Sequence, residues 1–149
     1  HDDSGAKLTM HGVPDQPGIA AAVFEPMGAV GVNVDMIVQN VSSRGVTDIS
    51  FTVPATAADA AVEVAERVAG EIGAIGVDLD RDISKVTIVG AGMKSESGVA
   101  AEMFRILSES GVNIEMISTS TIRISCIIRS EDTQTAIEAL HRELIGQRS

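Results

Sequence analysis

The sequence contains an internal repeat, and this repeat constrains the fold more than any other feature. The segment from Gly18 reads GIAAAVFEPMGAVGVNVDMIVQN, and the segment from Gly98 reads GVAAEMFRILSESGVNIEMISTS. The two copies begin at Gly18 and Gly98, and this separation is longer than the period of a solenoid repeat. The chain is therefore interpreted as a tandem of two small domains. The matched residues include Phe24 and Phe104, Gly31 and Gly111, Asn33 and Asn113, and Met36-Ile37 and Met116-Ile117.

The first copy begins with a predicted strand and helix. Residues 7–12 alternate between apolar and polar side chains, which is typical of a half-buried strand. A helix is expected to begin near Gly18 and to end at Gly31. Pro26 lies inside this helix, where it removes a backbone donor, so a kink is expected there. A core-facing stripe at helical spacing consists of Ile19, Val23, Met27 and Val30.

The rest of the first copy predicts a hairpin, a second helix and a closing strand. Alternation over residues 33–40, and again around Phe51, predicts a hairpin with its turn at 43–45. A helix is expected over 57–70 and a strand over 75–81. The apolar stripe of that helix is Ala58, Ala61, Val62, Ala65 and Val68. The resulting order βαββαβ is that of the ferredoxin-like split βαβ motif.

The second copy predicts the same order. Its elements are a strand over 85–90, a helix over 98–110, strands over 113–119 and 122–129, and a helix over 132–144. The fold class is therefore α+β, with two tandem ferredoxin-like domains over 1–84 and 85–149, each with an antiparallel sheet. The chain begins in mid-repeat and stops before the last strand. We therefore expect a fragment of a longer polypeptide, whose second domain lacks its last strand or borrows one from the N-terminal segment.

Composition argues against several classes of function. The net charge is −10, and the chain has no Trp, no Tyr and three Phe. It therefore lacks the clustered cations and stacking surfaces that nucleic-acid binding requires. No apolar run approaches the length of about 20 residues that a membrane-spanning helix needs, and no signal-peptide pattern begins the chain. A cytoplasmic protein with no nucleic-acid or membrane partner is expected.

The side chains that commonly carry chemistry are scattered. Cys126 shares a strand face with three isoleucines and is expected to be a buried, inert thiol. His1, His11 and His141 are far apart, and no cluster has metal-ligand spacing, so neither a metal nor another cofactor is expected. The segment 90–95 has two glycines of a dinucleotide fingerprint but lacks the third, and that fingerprint belongs to parallel sheets. No catalytic site is predicted.

The repeated loop that opens each first helix indicates a ligand. Gly18 at the helix start would leave backbone donors and the positive end of the helix dipole available to a carboxylate. Asp15 can accept a hydrogen bond from an ammonium group, and Asn33 or Gln39 can both donate and accept. Together these groups would suit a free α-amino acid. The corresponding residues of the second copy are Gly98, Asn113, Glu115 and Ser120. Glycines that only shape tight turns would explain the same pattern, and both interpretations stay open at this point.

Long stretches of the chain resemble the regulatory part, or beta subunit, of aspartokinase. They are GVPD at 12–15, NVDMIVQNVS at 33–42, TDISFT at 47–52, GAGMKS at 90–95 and NIEMISTS at 113–120. The resemblance extends over nearly the whole chain and implies two ACT domains, which are small-molecule sensors. The kinase domain of the family would precede residue 1, so the resemblance implies a regulatory chain without a catalytic site of its own.

The resemblance also implies an effector, partners and site residues. The effector would be threonine, with lysine as a second candidate, bound where ACT domains meet in a homodimer of regulatory chains. The further partner would be the catalytic domain or alpha subunit of aspartokinase. Matched by position, the first effector site comprises Asp15, Gly18, Ile19, Ala20, Gln39, Asn113 and Ile114. A second effector site would comprise Met93, Ser95, Glu115, Ser120 and Thr121.

Thr121 departs from the family pattern, which usually has Glu at this position. A lysine ammonium would lose a carboxylate partner there, and charge-assisted hydrogen bonds are the strong ones. Threonine is therefore favoured over lysine. The predicted function is feedback inhibition of an aspartate kinase in the aspartate-family amino-acid pathway. The alternative is a non-sensing ACT module that serves subunit dimerisation and assembly.

Overall fold

The computed structural model describes residues 4–40, 44–89, 96–120 and 123–145. The strands are β1 (Ser4–Pro14), β2 (Ile37–Asn40), β3 (Val46–Pro54), β4 (Gly76–Val89), β5 (Ile114–Thr119) and β6 (Arg123–Arg129). The α-helices are α1 (Ile19–Ala29), α2 (Ala58–Ile72), α3 (Glu96–Glu109) and α4 (Thr133–Leu140). Short 3₁₀ turns precede α2 and α4, and a π-helical turn, His141–Ile145, follows α4.

Contacts within the chain divide it into two compact units. The first unit is Gly5–Arg81, and the second begins at Asp82 and also takes in Ser4. The predicted domains met between residues 84 and 85, whereas the contacts divide the chain inside β4, three residues earlier. The domain limits therefore stay a prediction.

In the first unit, the sheet has the strand order β2-β3-β1-β4, and β3 is antiparallel to both β1 and β2. The helices α1 and α2 contact each other and cover one face of this sheet. Leu8, Met10, Ile49 and Phe51 are fully buried under them. Strand order and helix placement are those of the ferredoxin-like motif, which confirms the predicted α+β fold class.

The second unit repeats this arrangement. Residues of β4 from Ile83 to Val89 pair antiparallel with β6, which pairs antiparallel with β5. The core beneath α3 and α4 includes Ile124, Cys126 and Ile128 from alternate positions of β6. The predicted face of β6 is confirmed for these three residues, whereas Ile122 lies outside the described residues.

Three local structures recur in both units, and they explain part of the sequence repeat. Hydroxyl groups of Thr9 and Ser50 are hydrogen-bonded at 2.9 Å between β1 and β3, and Thr87 and Ser125 are bonded at 2.9 Å between β4 and β6. After each first helix a glycine with a left-handed backbone reverses the chain, at Gly31 (φ 80°) and at Gly111 (φ 78°). Positive φ is accessible to glycine without the steric cost that a Cβ atom adds.

The third recurring structure is a β-bulge, which shortens one predicted strand. The backbone N–H groups of Asp35 and Met36 both point at Thr52, to its carbonyl oxygen (2.8 Å) and its Oγ1 (3.0 Å) respectively. Two residues therefore oppose one, and β2 begins at Ile37 rather than at residue 33. The register shift between Ile114 and Met116 is the same irregularity in the second unit.

Some predicted details of the helices and strands were wrong. Val30 was expected to face the core, but it lies after α1 and is 54% exposed. The predicted strands 75–81 and 85–90 are parts of the continuous strand β4. In α2, Val64 replaces Val62 among the fully buried residues, because the stripe turns slowly around the helix. The helix expected over 132–144 ends at Leu140 and continues as the π-helical turn.

Candidate ligand-binding site

The loop between β1 and α1 presents an uncapped helix start. Gly18 is the N-cap residue of α1, with φ 86° and no side-chain hydrogen bond to the first turn. The N–H of Ile19 donates to the carbonyl oxygen of Gln16 at 3.2 Å. The remaining first-turn N–H groups have no acceptor within the helix. Beyond Gly18 and its two chain neighbours, no atom lies within 4 Å of the position that a Cβ on Gly18 would take, so the approach to this helix start is open.

Asp15 and Gln39 lie at the same end of the first unit. Both β1 and β2 are antiparallel to β3, so their C-terminal ends meet at the start of β3. The backbone N–H of Asp15 donates to the carbonyl oxygen of Gly45 at 2.9 Å, which ties the loop to the turn before β3. Gln39 pairs with Ile49 and therefore lies on the face that α1 covers. Both side chains are exposed.

The five candidate residues of the first unit are thus near the β1–α1 loop and the end of β2. Ile19 is 7% exposed, so its side chain belongs to the core and only its backbone is available to a ligand. Ala20 and Gly18 are exposed. Asn33, the other candidate amide, precedes the start of β2 and lies at the opposite end of the unit from Asp15.

Asn113 and Ile114 line an open depression in the second unit. Its volume is about 480 Å³, and its walls are Phe104, Ser108, Gly111, Val112, Asn113 and Ile114. A volume of this size is within the range of small-molecule sites. That these two residues bind the same ligand as Asp15 and Gln39 stays a prediction.

The second candidate site is described only in part. The carboxylate of Glu115, at the bulge of β5, accepts a hydrogen bond from Arg129 at 3.2 Å. Ser120 is exposed beyond the other end of β5, where its N–H donates to the carbonyl oxygen of Arg123 at 2.8 Å. Glu115 and Ser120 are therefore at opposite ends of this strand. Met93, Ser95 and Thr121 lie outside the described residues, as does the glycine segment 90–95.

The structure also reveals a charged cluster that sequence analysis missed. The ring of His11 lies between two carboxylates, with Nε2 at 2.7 Å from Asp78 Oδ2 and Nδ1 at 3.4 Å from Asp48 Oδ2. The N–H of Gly12 donates to the other oxygen of Asp48 at 3.0 Å. The hydrogen bond to Asp78, with a smaller contribution from Asp48, raises the pKa of His11 above its ordinary value. The hydrogen bond from Gly12 lowers the pKa of Asp48.

The predicted alternation over residues 7–12 is confirmed, with Leu8 and Met10 buried and His11 on the other face of β1, but the sequence gave no sign of the partners of His11. Asp48 is 37 residues away along the chain and Asp78 is 67 residues away. The only available signal was the pair His11-Gly12 itself. A glycine next to a polar residue near a strand end is typical of a β-bulge.

Arg105 and Cys126 have structural roles. Arg105 contacts Glu102, Glu109 and Glu143 on the exposed surface of α3 and the turn after α4. Cys126 is buried as predicted, and burial raises the pKa of its thiol to about 11. Within residues 4–40, 44–89, 96–120 and 123–145, no three His, Cys, Asp or Glu side chains are arranged to hold a metal ion. In that same part of the chain, every helix is too short or too polar to cross a membrane.

Comparison with known proteins gives consistent matches. A model of the ACT domain family matches residues 9–68 and 86–144. An aspartate kinase of Pseudomonas fluorescens is 48% identical over 136 residues, which are 91% of this chain and 33% of that protein. The chain thus spans about a third of the length of the aspartate kinases that it matches.

Two solved regulatory chains match over almost their whole length. The ligand-free regulatory subunit of aspartate kinase from Thermus thermophilus is 43% identical, with a TM-score of 0.89, over 96% of this chain and 94% of that one. A chain in the crystal structure of aspartokinase alpha and beta subunits is 41% identical, with a TM-score of 0.87, over 95% and 93% of the two chains.

Proposed function

Since this chain belongs to the ACT domain family and is a regulatory part of aspartate kinase, we propose that it is a cytoplasmic sensor of free threonine. Threonine binding would stabilise one arrangement of the ACT domains and thereby inhibit the kinase. A ligand can shift such an equilibrium only by its difference in affinity for the two states. The proposed partner of the chain is the catalytic domain or alpha subunit of aspartate kinase, which would carry the kinase activity.

The observation that carries the proposal is the uncapped start of α1 beside Asp15. The first-turn N–H groups after Gly18 suit a carboxylate, because they are donors at the positive end of the helix dipole. The exposed Asp15 suits an ammonium group. Gln39 lies at the same end of the unit and can bond a hydroxyl group. These three chemistries together match threonine, and Asn113 and Ile114 would complete the site where ACT domains meet.

Lysine is the second candidate effector, at the site of Met93, Ser95, Glu115, Ser120 and Thr121. Glu115 is the only carboxylate among these residues, and Arg129 already pairs with it. A lysine side chain would therefore compete with an internal cation. We propose that this site binds lysine weakly, and that Thr121→Glu would strengthen lysine binding by supplying a carboxylate.

Thermal unfolding with threonine, lysine or methionine added at millimolar concentration tests the proposal. A ligand that binds only the folded chain stabilises it by about 2.7 kcal/mol at a hundredfold excess over its dissociation constant. We expect a rise in the unfolding midpoint with threonine and little or no rise with methionine. A rise with lysine as large as that with threonine would contradict the weak-site interpretation.

Variants identify the site. Asp15→Ala and Gln39→Ala should each weaken threonine binding by about tenfold or more, because each removes a hydrogen-bonding partner of the ligand. Glu63→Ala is the matched control, since Glu63 is an exposed acid on α2 in the same unit. Unchanged binding in the Asp15→Ala and Gln39→Ala variants would refute the site assignment.

The second candidate function is assembly, and exposed apolar side chains on the outermost strand of each unit favour it. Ile37 on β2 and Ile117 on β5 are at equivalent repeat positions and are 53% and 47% exposed. Each belongs to the outermost strand of its unit. We propose that the chain forms a homodimer, and light scattering with Ile37→Lys and Ile117→Lys tests this. A dimer that forms without threonine binding would support the assembly module.

A further inference from the structure

We propose that His11 is a positioning residue for the β1–α1 loop, and that its protonated ring strengthens effector binding by holding Asp48 and Asp78 together. This inference rests on the proposed function, because it concerns the loop that carries Asp15 and Gly18. His11 does not contact the ligand in this proposal. It acts through the backbone of the strand from which the loop departs.

The first step is the bulge at the end of β1. Met10 pairs with Ile49 and Val13 pairs with Thr47, so His11 and Gly12 both lie opposite Asp48. Gly12 has φ 65°, which other residues adopt only at a steric cost. Its N–H is bonded to Asp48, and the carbonyl oxygen of His11 accepts a hydrogen bond from Ile75 at 2.8 Å. These contacts fix the path of β1 just before Val13 and Pro14, which lead directly to Asp15.

The second step is the position of Asp48 between both candidate ligand segments. On one side Asp48 contacts the bulge that leads to Asp15, and on the other side it pairs with Asn40 at the end of β2. Asn40 follows Gln39 directly. A shift of Asp48 therefore displaces both segments at once.

The third step is the number of protons on His11. An imidazolium ring donates through both nitrogens, so it can bond Asp48 and Asp78 at the same time. A neutral ring donates through one nitrogen only, and its other lone pair then faces a carboxylate that has no proton to donate. Loss of the proton therefore breaks one of the two ring contacts and weakens the link between the bulge and either β3 or β4, while the backbone contacts of His11 and Gly12 remain.

Each of the two neighbouring strands contributes one carboxylate that faces the His11 ring. Asp48 approaches from β3 and Asp78 from β4, and these are the charged partners within hydrogen-bonding distance among the described residues. Lys7 on β1 and Asp80 on β4 lie farther along the same face of the sheet. The contact with Asp78 is exposed to solvent, since that side chain is 79% exposed, so salt should weaken it.

Nuclear magnetic resonance provides a test that does not depend on a ligand. The His11 ring and the backbone amides of Gly12, Asp15 and Gly18 are followed from pH 5.5 to pH 8.5 in the labelled full chain. We expect the amides to titrate with the same midpoint as the ring. His11→Gln should abolish this titration, whereas His141→Gln, which changes an exposed histidine of the second unit, should preserve it. If the loop amides of the wild-type chain do not titrate with the midpoint of the ring, the proposal is overturned.

A second variant guards against a folding defect in His11→Gln. Asp78→Asn removes the main partner of the ring without touching the bulge, so the ring and the loop amides should shift to a lower midpoint together. A shift of the ring without the amides overturns the proposal.

Calorimetry with threonine then separates the two proposals. We expect the dissociation constant of the wild-type chain to rise about threefold to tenfold from pH 6.0 to pH 8.5, and that of His11→Gln to stay constant. Threonine binding that is independent of pH in the wild-type chain overturns the role of His11 and leaves the proposed function standing. Absence of threonine binding at every pH refutes the proposed function instead, and the amide titration alone then decides about His11.

Discussion

The two units share a backbone but fill it with different side chains. The hydroxyl pair, the left-handed glycine and the bulge occupy matching places in both. Under the helices, however, Val23 and Phe51 of the first unit correspond to Met103 and Cys126 of the second. In the first unit the large side chain is on the strand, and in the second it is on the helix. The repeated fold therefore tolerates the larger side chain of this pair on either the strand or the helix.

The units also differ in how they fill two small positions. Ala6 and Ala58 of the first unit are buried, whereas Ser84 and Thr133 take their places in the second. The Thr133 hydroxyl donates to Ser84 Oγ at 2.7 Å and so provides the buried Ser84 with a hydrogen-bond partner. At the strand end, the pair His11 and Asp48 corresponds to Val89 and Arg123. The first unit therefore has the titratable cluster, and the second has none at this place among the described residues.

The largest expected effect on stability comes from replacing a core side chain of the first unit with its counterpart from the second. Phe51→Cys, which copies the second unit, should destabilise the chain by about 3 kcal/mol, since it leaves a cavity and removes the edge-on contact with Phe24. Val23→Met added to it should recover about 1 kcal/mol, because Met103 fills the corresponding space. Urea unfolding followed by circular dichroism measures both. A double variant no more stable than Phe51→Cys would show that the two cores are not interchangeable.

The left-handed glycines should respond alike in both units. Gly31→Ala and Gly111→Ala should each cost about 1–2 kcal/mol, because a Cβ is disfavoured at positive φ even where space is open. Gly70→Ala, in α2, is the control and should stabilise the chain by about 0.5–1 kcal/mol. The same unfolding assay applies. Clearly unequal costs at positions 31 and 111 would show that the turns differ.

Loss of the hydrogen bond between Thr133 and Ser84 should have a smaller effect on stability, and a second substitution should reverse it. Thr133→Ala should destabilise the chain by about 1 kcal/mol, because Ser84 is 7% exposed and loses its partner. Adding Ser84→Ala copies Ala6 and Ala58 of the first unit and should restore most of that loss. If the double variant is the least stable of the set, the polar pair stabilises the second unit beyond satisfying its own groups.

The smallest expected effect is the dependence of stability on pH. The pKa of His11 is raised in the folded chain, so its contribution is complete below its ordinary value of 6.5 and is lost as pH rises through the folded pKa. Since the cluster is partly exposed, the loss should stay below about 1 kcal/mol. His11→Val, which copies Val89, should remove this dependence in urea unfolding at pH 6 and pH 8. An equal pH dependence in the variant would attribute the effect to other groups.

Much of the fold followed from the sequence because its signals are local. The glycines at 18 and 31, the alternation around Phe51 and the helical stripe of α2 each lie within a short segment. The bulge at Asp35 was not predicted, since it depends on Thr52 of another strand. The end of α4 at Leu140 was also missed, because the same apolar spacing continues into the π-helical turn.

The candidate site was predicted less completely. Repeat matching and family resemblance indicated Asp15 and Gln39, and the antiparallel pairing places them at one end of a unit. The partners of His11 could not be found, because the carboxylates come from strands 37 and 67 residues away. Individual acids in an acidic chain give no sign of which one will face a histidine. Pairing of that kind becomes visible only when strand register is known.

The strand pairings also show that the two copies differ in the lengths of their loops. Gln39 and Ile49 face each other across ten positions of the chain, whereas the equivalent Thr119 and Ile124 face each other across five. The loop before the first helix has changed in the opposite direction and is two residues longer in the second copy. Both changes fall at corresponding ends of the two units, which in the first unit is the end that carries Asp15 and Gln39. Insertions and deletions have thus changed the loop lengths at these ends, whereas the turns at Gly31 and Gly111 have kept the same length.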